Sequence, residues 1–328
     1  MMPLCSGAPL ACLAAILLLL VAPASAQFRK TNEPFRPAPK PDQESVPSFR
    51  SDVRLVPLLA TVKDANGALI GDLTKEEFEI FDNGVAQEVA LFETRTDQPL
   101  SVSILVDTSL TTAIKLREGR RSVELFVESL IGSGNEQDAA ALYTFNDQVT
   151  LQQPFTRDLR RLKRGLDRLA PEGGTSLYDA LFLAAEAIDR RDGRHVVVVV
   201  SDGGDTTSRL NIGAAMKRLQ EADAVVYPIL IVPIQANAGR NIGGENALQI
   251  IAMRTGGKVY AATLGKELDA VFTEILRDLR TQYLVGFYPR GAPPSKDGFH
   301  RLQLRTKRPG LLVQTRSGYY GEAEHEKP

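Results

Sequence analysis

The chain has 328 residues, with 39 lysines and arginines against 40 aspartates and glutamates, so its formal net charge is -1. This balance excludes a nucleic-acid-binding protein that relies on an overall positive charge. The three histidines (His195, His300 and His325) are far apart in the sequence, which argues against a histidine-rich zinc or haem site. Hydrophobic residues make up 43% of the chain, as in ordinary globular proteins, and the length predicts about two domains.

Residues 1–26 have the pattern of an export signal. Residues 10–22 form an apolar run, and Ala24-Ser25-Ala26 supplies a small-x-small cleavage site, so the mature chain would begin at Gln27. The run is too short for a membrane-spanning helix, which needs about 20 residues. Cleavage would remove both cysteines of the chain, Cys5 and Cys12. We therefore expect a thiol-free protein that is periplasmic or secreted, with no transmembrane segment in the mature chain.

The next segment, residues 27–50, contains five prolines among polar residues, which is typical of an extended, disordered spacer. Residues 51–97 then show strand-like runs. The Asn83-Gly84 pair between the runs 78–81 and 85–92 predicts a β-hairpin.

The longest segment, residues 98–280, alternates short apolar strands with amphipathic helices. We predict strands at 102–106, 139–145, 196–200, 225–232 and 258–261, and an edge strand at 149–155 that pairs back as a hairpin. Helices are predicted at 111–131, 158–169, 176–190, 211–221, 245–254 and 266–280. Continuous valine, isoleucine and leucine runs joined by helices indicate an α/β fold with a doubly wound, Rossmann-like and mostly parallel sheet.

After Arg280 the helices stop, and strands are predicted at 282–288, 300–307 and 311–315. Neither flank of the α/β segment has enough strands for a stable domain of its own. We therefore predict one small β-sandwich-like domain built from residues 51–97 and 281–321, with the α/β domain inserted between its halves. Residues 322–328 would form a tail.

Three polar loops are predicted at the carboxyl edge of the parallel sheet. Asp107, Ser109 and Thr111 follow the first strand, Thr175 lies in the Gly-rich loop before a helix, and Asp202 follows the strand at 196–200. Ligands bind at this edge of doubly wound sheets, where the strand order reverses. Two carboxylates and three hydroxyls suit a hard divalent cation, with Mg²⁺ favoured and Ca²⁺ or Mn²⁺ possible. Singly, each residue also fits a helix cap or a turn, so the prediction depends on their joint spacing.

These loops resemble the metal-ion-dependent adhesion site of the von Willebrand factor type A (VWA) domain. The family's pattern is Asp-x-Ser-x-Ser, then a threonine, then an aspartate after a hydrophobic strand. It is met by Asp107, Ser109, Thr111, Thr175 and Asp202, with Thr111 standing where serine is usual. The resemblance covers residues 98–280. The flanks, including residues 73–84 and 283–289, are similar to those of exported VWA-domain proteins of the acidobacterial type.

The resemblance implies binding and not catalysis. In this family an open coordination position of the cation accepts a carboxylate from a partner protein. The main alternative is a structural or assembly scaffold whose metal site is not functional. A metal-dependent phosphohydrolase is a weaker alternative, because its motif needs a second aspartate where this chain has Ser109.

Two other features of the sequence bear on function. A serine hydrolase is disfavoured because the chain has no Gly-x-Ser-x-Gly motif, and His195 lies at the start of a core strand, away from the predicted site. The basic segment 157–168 has an apolar stripe and interleaved aspartates. It is interpreted as the solvated face of a helix, with a basic docking surface as the alternative.

Overall fold

A computed structural model describes residues 54–94, 98–109, 116–132, 134–231, 241–293 and 295–321, with side chains of the first helix from residue 118 onward. The predicted export signal, the whole spacer, the tail and Thr111 lie outside these ranges. Within them, no helix combines the length and apolar character needed to cross a membrane.

The strands and helices are numbered in chain order. The strands are β1 (Val56–Lys63), β2 (Phe78–Asp82), β3 (Val85–Gln87), β4 (Val89–Thr94), β5 (Leu100–Asp107), β6 (Ala139–Phe145), β7 (Val149–Thr156), β8 (Arg194–Ser201), β9 (Val225–Ile231), β10 (Tyr260–Ala262), β11 (Tyr283–Phe287), β12 (Phe299–Thr306), β13 (Leu312–Gln314) and β14 (Gly318–Tyr320). The helices are α1 (Leu116–Gly132), α2 (Leu159–Leu166), α3 (Leu177–Ile188), α4 (Ile212–Glu221), α5 (Ile242–Thr255) and α6 (Lys266–Arg280).

The largest sheet has six strands in the order β10-β9-β8-β5-β6-β7. All neighbours are parallel except β6 and β7, which pair as the predicted antiparallel hairpin at the edge. Its central strands are buried on both faces, which explains their unbroken apolar runs. Helices α1, α2 and α6 pack on one face, and α3, α4 and α5 pack on the other. The predicted doubly wound α/β fold is therefore confirmed.

The flanking segments form two four-stranded sheets, with the orders β13-β1-β11-β4 and β14-β12-β2-β3. Each sheet combines strands from before and after the α/β segment, since β1 pairs with β11 and β2 pairs with β12, both antiparallel. The two sheets share one apolar core, which includes Leu58, Ile80, Phe287 and Leu304. This shared core gives the arrangement its sandwich character.

The predicted hairpin forms, but the run that follows it differs from expectation. Asn83 (φ 46°) and Gly84 (φ 84°) occupy the left-handed region that a two-residue type I′ turn requires. The run predicted at 85–92 is divided: β3 pairs with β2, whereas β4 pairs with β11 in the opposite sheet. The chain changes sheets at Glu88, because Val89 enters the core while the β3 residues stay on an edge.

Candidate metal centre

The three polar loops lie where the winding of the large sheet reverses. Strands β5 and β8 are neighbours, but β5 continues into α1 on one face and β8 into α4 on the other. A crevice forms between such diverging connections at the carboxyl ends of the strands. Asp107 is the last residue of β5 and Ser201 is the last residue of β8, so both lie at this carboxyl edge.

Asp107 is 3% exposed, and neighbouring groups fix its orientation. Its Oδ2 accepts a hydrogen bond from the Ser201 hydroxyl (2.6 Å), and its Oδ1 accepts one from the Ser109 backbone N–H (2.9 Å). Burial raises the pKa of the Asp107 carboxyl, and nearby Asp202 raises it further, while the bonds from Ser201 and Ser109 lower it. The ionised carboxylate would therefore gain from a cation placed beside it.

Hydrogen bonds tie the three loops to one another. The backbone N–H of Glu172 donates to Thr108 O (3.0 Å), which joins the first loop to the second. The backbone N–H groups of Thr206 and Thr207 donate to Thr175 O (2.8 and 3.1 Å), and the Thr206 hydroxyl accepts from Thr175 N–H (3.0 Å), joining the second loop to the third. The Asp107–Ser201 bond joins the first and third loops. The edge is therefore a closed network.

The two aspartates after β8 have different surroundings. Asp205 accepts hydrogen bonds from the N–H groups of Leu177 and Tyr178, so it caps α3 from another loop. Asp202 is half-buried, and its Oδ1 accepts from Gly204 N–H (3.2 Å), which holds its carboxylate at the turn. Thr175, which by itself fits the cap of α3, is thus not needed for that role, and its side chain is buried within the network.

Two groups at this edge were not predicted from the sequence. Asn146, in the β6–β7 turn, donates from Nδ2 to the Thr108 hydroxyl and to Glu172 (both 3.4 Å) and accepts from Ser176 N–H at its backbone carbonyl (2.6 Å). The first turn of α5 abuts the Gly203-Gly204 turn, because the Cα of Gly244 lies against the Gly203 carbonyl. The Gly243-Gly244 pair at the start of a helix is unusual, and this feature of the sequence could have predicted the close approach.

Of the predicted ligands, Asp107, Ser109, Thr175 and Asp202 all lie on these joined loops, and Thr111 falls outside the described residues. Asp107, Ser109 and Thr175 are buried. The described ranges hold no group of three or more histidine, cysteine, aspartate or glutamate side chains with the geometry of a metal site. Two carboxylates and neighbouring hydroxyls form an all-oxygen set, which fits a hard divalent cation with coordination positions left for outside ligands.

The two other sequence features lie elsewhere. The ring nitrogens of His195 contact the backbone carbonyls of Ala222 (Nδ1, 2.6 Å) and Arg191 (Nε2, 2.9 Å), at the amino end of β8. On α2, Leu162 and Leu166 are buried, and Lys163 pairs with Glu124 and Glu128 of α1. These positions agree with a strand-end histidine and a solvated helix face.

Taken together, the fold and the loops define a doubly wound α/β domain with an oxygen-rich cluster at its switch point. Residues 102–204 match the family model of the von Willebrand factor type A domain. The matched segment runs from within β5 to just beyond β8, and it contains the first two polar loops and Asp202 of the third. The family model therefore identifies residues 102–204 as part of a von Willebrand factor type A domain.

Among solved structures, the chain is similar to an aerotolerance-related membrane protein from Bacteroides fragilis (21% identity over 55% of this chain and 98% of that one, TM-score 0.43). It is also similar to the vWF domain of the type V pili tip protein Mfa5 from Porphyromonas gingivalis (14% identity over 56% of this chain and 97% of that one, TM-score 0.47). A third similar structure is the PilB minor pilin from Streptococcus sanguinis (14% identity over 56% of this chain and 62% of that one, TM-score 0.45). A comparison with curated proteins finds no match. Identities this low transfer no function.

Proposed function

We propose that this chain is a binding protein, not an enzyme, whose VWA domain holds a divalent cation and uses it to bind an acidic side chain of a partner protein. The cation would lie among Asp107, Ser109, Thr111, Thr175 and Asp202, with Mg²⁺ favoured over Ca²⁺ or Mn²⁺. The observation that carries the proposal is the closed hydrogen-bond network that joins the loops of four of these residues at the switch point of the sheet.

The chemistry of the donors supports a protein partner with a carboxylate. Asp107 and Asp202 carry two negative charges, and the other proposed ligands are neutral hydroxyls. Mg²⁺ usually retains several water molecules, which an incoming oxygen ligand can replace. A carboxylate is the protein side chain that best meets a hard cation, and exclusion of water at the contact would strengthen the attraction.

Titration calorimetry tests the metal step. Wild-type protein, freed of metal by a chelator, is expected to bind one equivalent of Mg²⁺, Ca²⁺ or Mn²⁺, and Asp107→Ala is expected to abolish that binding because it removes a central carboxylate. Asp202→Ala, at a half-buried position, provides a second variant if Asp107→Ala folds poorly. Asp167→Ala removes an exposed carboxylate outside the three loops and should bind as wild type does.

Absence of cation binding to the wild-type protein would refute this proposal and favour a scaffold without a functional metal site. Binding that persists in both Asp107→Ala and Asp202→Ala would place the cation elsewhere. A thermal shift on adding cation offers a simpler first measurement, since a ligand that binds only the folded state raises its stability.

The same proposal places the protein outside the cytoplasm, in the periplasm or secreted, because residues 1–26 have the pattern of a cleaved export signal. Amino-terminal sequencing of the protein recovered from cell fractions is expected to begin at Gln27. A chain that keeps residues 1–26 and stays in the cytoplasm would contradict the export step without affecting the metal site.

A further inference from the structure

A cavity of about 300 Å³ lies at the opposite edge of the large sheet from the candidate metal centre. Its walls include Gln98, Arg194 and Val225 at the amino ends of β5, β8 and β9. Pro57, Leu284 and Arg316 of the sandwich close its other side. The cavity is therefore built jointly by the VWA domain and the flanking β strands.

Two buried donors in the cavity lining lack an acceptor. Gln220 is 5% exposed, and its Nε2 has no hydrogen-bond partner among the residues that the structure describes. In the same ranges, the buried Nε of Arg316 also lacks a partner, although its other guanidinium nitrogens bond to Asp223 and to Pro57 O. A buried donor without an acceptor is destabilising, so two in one wall call for an acceptor from outside the chain.

Side-chain donors already contact several backbone carbonyls at this edge. Helices α3, α4 and α5 end near the cavity, and carbonyl groups at helix ends attract cations. His195 contacts the carbonyls of Ala222 and Arg191, while Arg194 donates to the carbonyls of Gln98 and Leu279. These side chains therefore offset part of the negative charge that the helix ends place beside the cavity.

The charges of the residues that line the cavity also favour an anion. Its three carboxylates each pair with a cation: Asp189 with Arg218 (2.7 Å), Glu221 with Arg218 (3.8 Å), and Asp223 with Arg316. Arg54 and Arg191 also line the cavity and have no carboxylate partner in the described part of the chain. Burial lowers the pKa of Arg316 to about 10, so its charged form would gain from an added negative charge.

We propose that this cavity binds a small oxyanion, a carboxylate or a phosphate, whose oxygens accept from Gln220 Nε2 and Arg316 Nε and whose charge is balanced by Arg54 and Arg191. Planar guanidinium groups match the oxygens of both anions. The volume is at the lower end of the range for ligand sites, which fits a compact anion better than a nucleotide. The site does not involve the candidate metal centre.

The test measures thermal stability with citrate and with inorganic phosphate as probes, against sodium chloride at matched ionic strength. The protein is first freed of divalent cations by a chelator, so neither anion can act by removing a metal. We expect citrate, phosphate or both to raise the melting temperature by about 5–10 °C at roughly one hundred times the dissociation constant. The anion with the larger effect identifies the ligand as a carboxylate or a phosphate.

Gln220→Leu is the informative variant. It removes the unmet amide, so the melting temperature without anion is expected to stay equal or rise, while the shift caused by the anion falls by more than half. Arg54→Gln, at an exposed lining position, is expected to reduce the shift as well and serves if Gln220→Leu folds poorly. Arg161→Gln makes the same charge change on exposed α2 and should keep the full shift.

Two results would overturn the proposal. One is a melting temperature that neither citrate nor phosphate raises above the chloride value. The other is an anion shift that remains the same in Gln220→Leu and Arg54→Gln as in Arg161→Gln, since general screening of surface charge would then explain it. Both are independent of whether the cation of the proposed function binds.

Discussion

Replacing Lys63 with methionine is expected to lower the free energy of unfolding by about 3–5 kcal/mol, the usual effect of leaving a buried charge without its partner. Lys63 ends β1, and its Nζ lies 2.7 Å from Oδ2 of Asp278 in α6. The Asp278 side chain is fully buried, and within the described ranges its Oδ1 has no hydrogen-bond partner. The Tyr260 hydroxyl, 3.4 Å from Oδ2, cannot replace the lost positive charge.

Lys258→Met is the matched control for this prediction. Lys258 Nζ also binds an α6 carboxylate, at 3.0 Å from Glu274, but its side chain is 44% exposed. Removing such a pair is expected to change stability by about 0–1 kcal/mol. Urea unfolding of both variants gives the comparison, and Lys63→Met/Asp278→Leu should recover much of the loss by removing the buried charge. Equal losses in the two single variants would show that the Lys63–Asp278 pair is not specially stabilising.

This ion pair also shows why the sequence predicted some features and not others. The valine run of β8 and the Asn83-Gly84 turn are local signals that span only a few residues, so the sheet and the hairpin could be predicted. Lys63 and Asp278 are separated by 215 positions, and neither residue is unusual in its local segment. The crossing of the chain between sandwich sheets at Glu88 likewise depends on distant partners, namely β2 for β3 and β11 for β4.

The residues of the candidate site likewise include some that the sequence predicts and some that it does not. Asp107, Ser109, Thr175 and Asp202 could be singled out because each follows a strand or precedes a helix at a recognisable spacing. The residues that support the site could not be singled out, because they come from other loops: Asp205, in the loop after β8, caps α3. Ser201 orients Asp107 although 94 positions separate the two residues. Sequence spacing therefore indicates candidate ligands, whereas the fold determines what holds them in place.

Gly244→Ala is expected to disturb the site most, although Gly244 is not a proposed ligand. A Cβ at this position would overlap the Gly203 carbonyl, so either the first turn of α5 or the turn after Asp202 must move. Overpacking of this kind typically costs about 1–3 kcal/mol of stability. Because displacement of a ligand by about 1 Å can cost orders of magnitude in function, we expect cation affinity to fall by about tenfold or more.

The neighbouring glycine supplies the control. Gly243 is exposed, and a Cβ there would lie 3.6 Å from Asn241 Oδ1, an ordinary contact. Alanine also favours a helix over glycine by about 1 kcal/mol, so Gly243→Ala should be neutral or stabilising and keep wild-type cation affinity. Thermal unfolding and calorimetry of the two variants separate the packing effect from helix propensity. If Gly244→Ala lost stability but bound the cation as the wild type does, Asp202 would not depend on α5 for its position, and the helix would support the fold without supporting the metal centre.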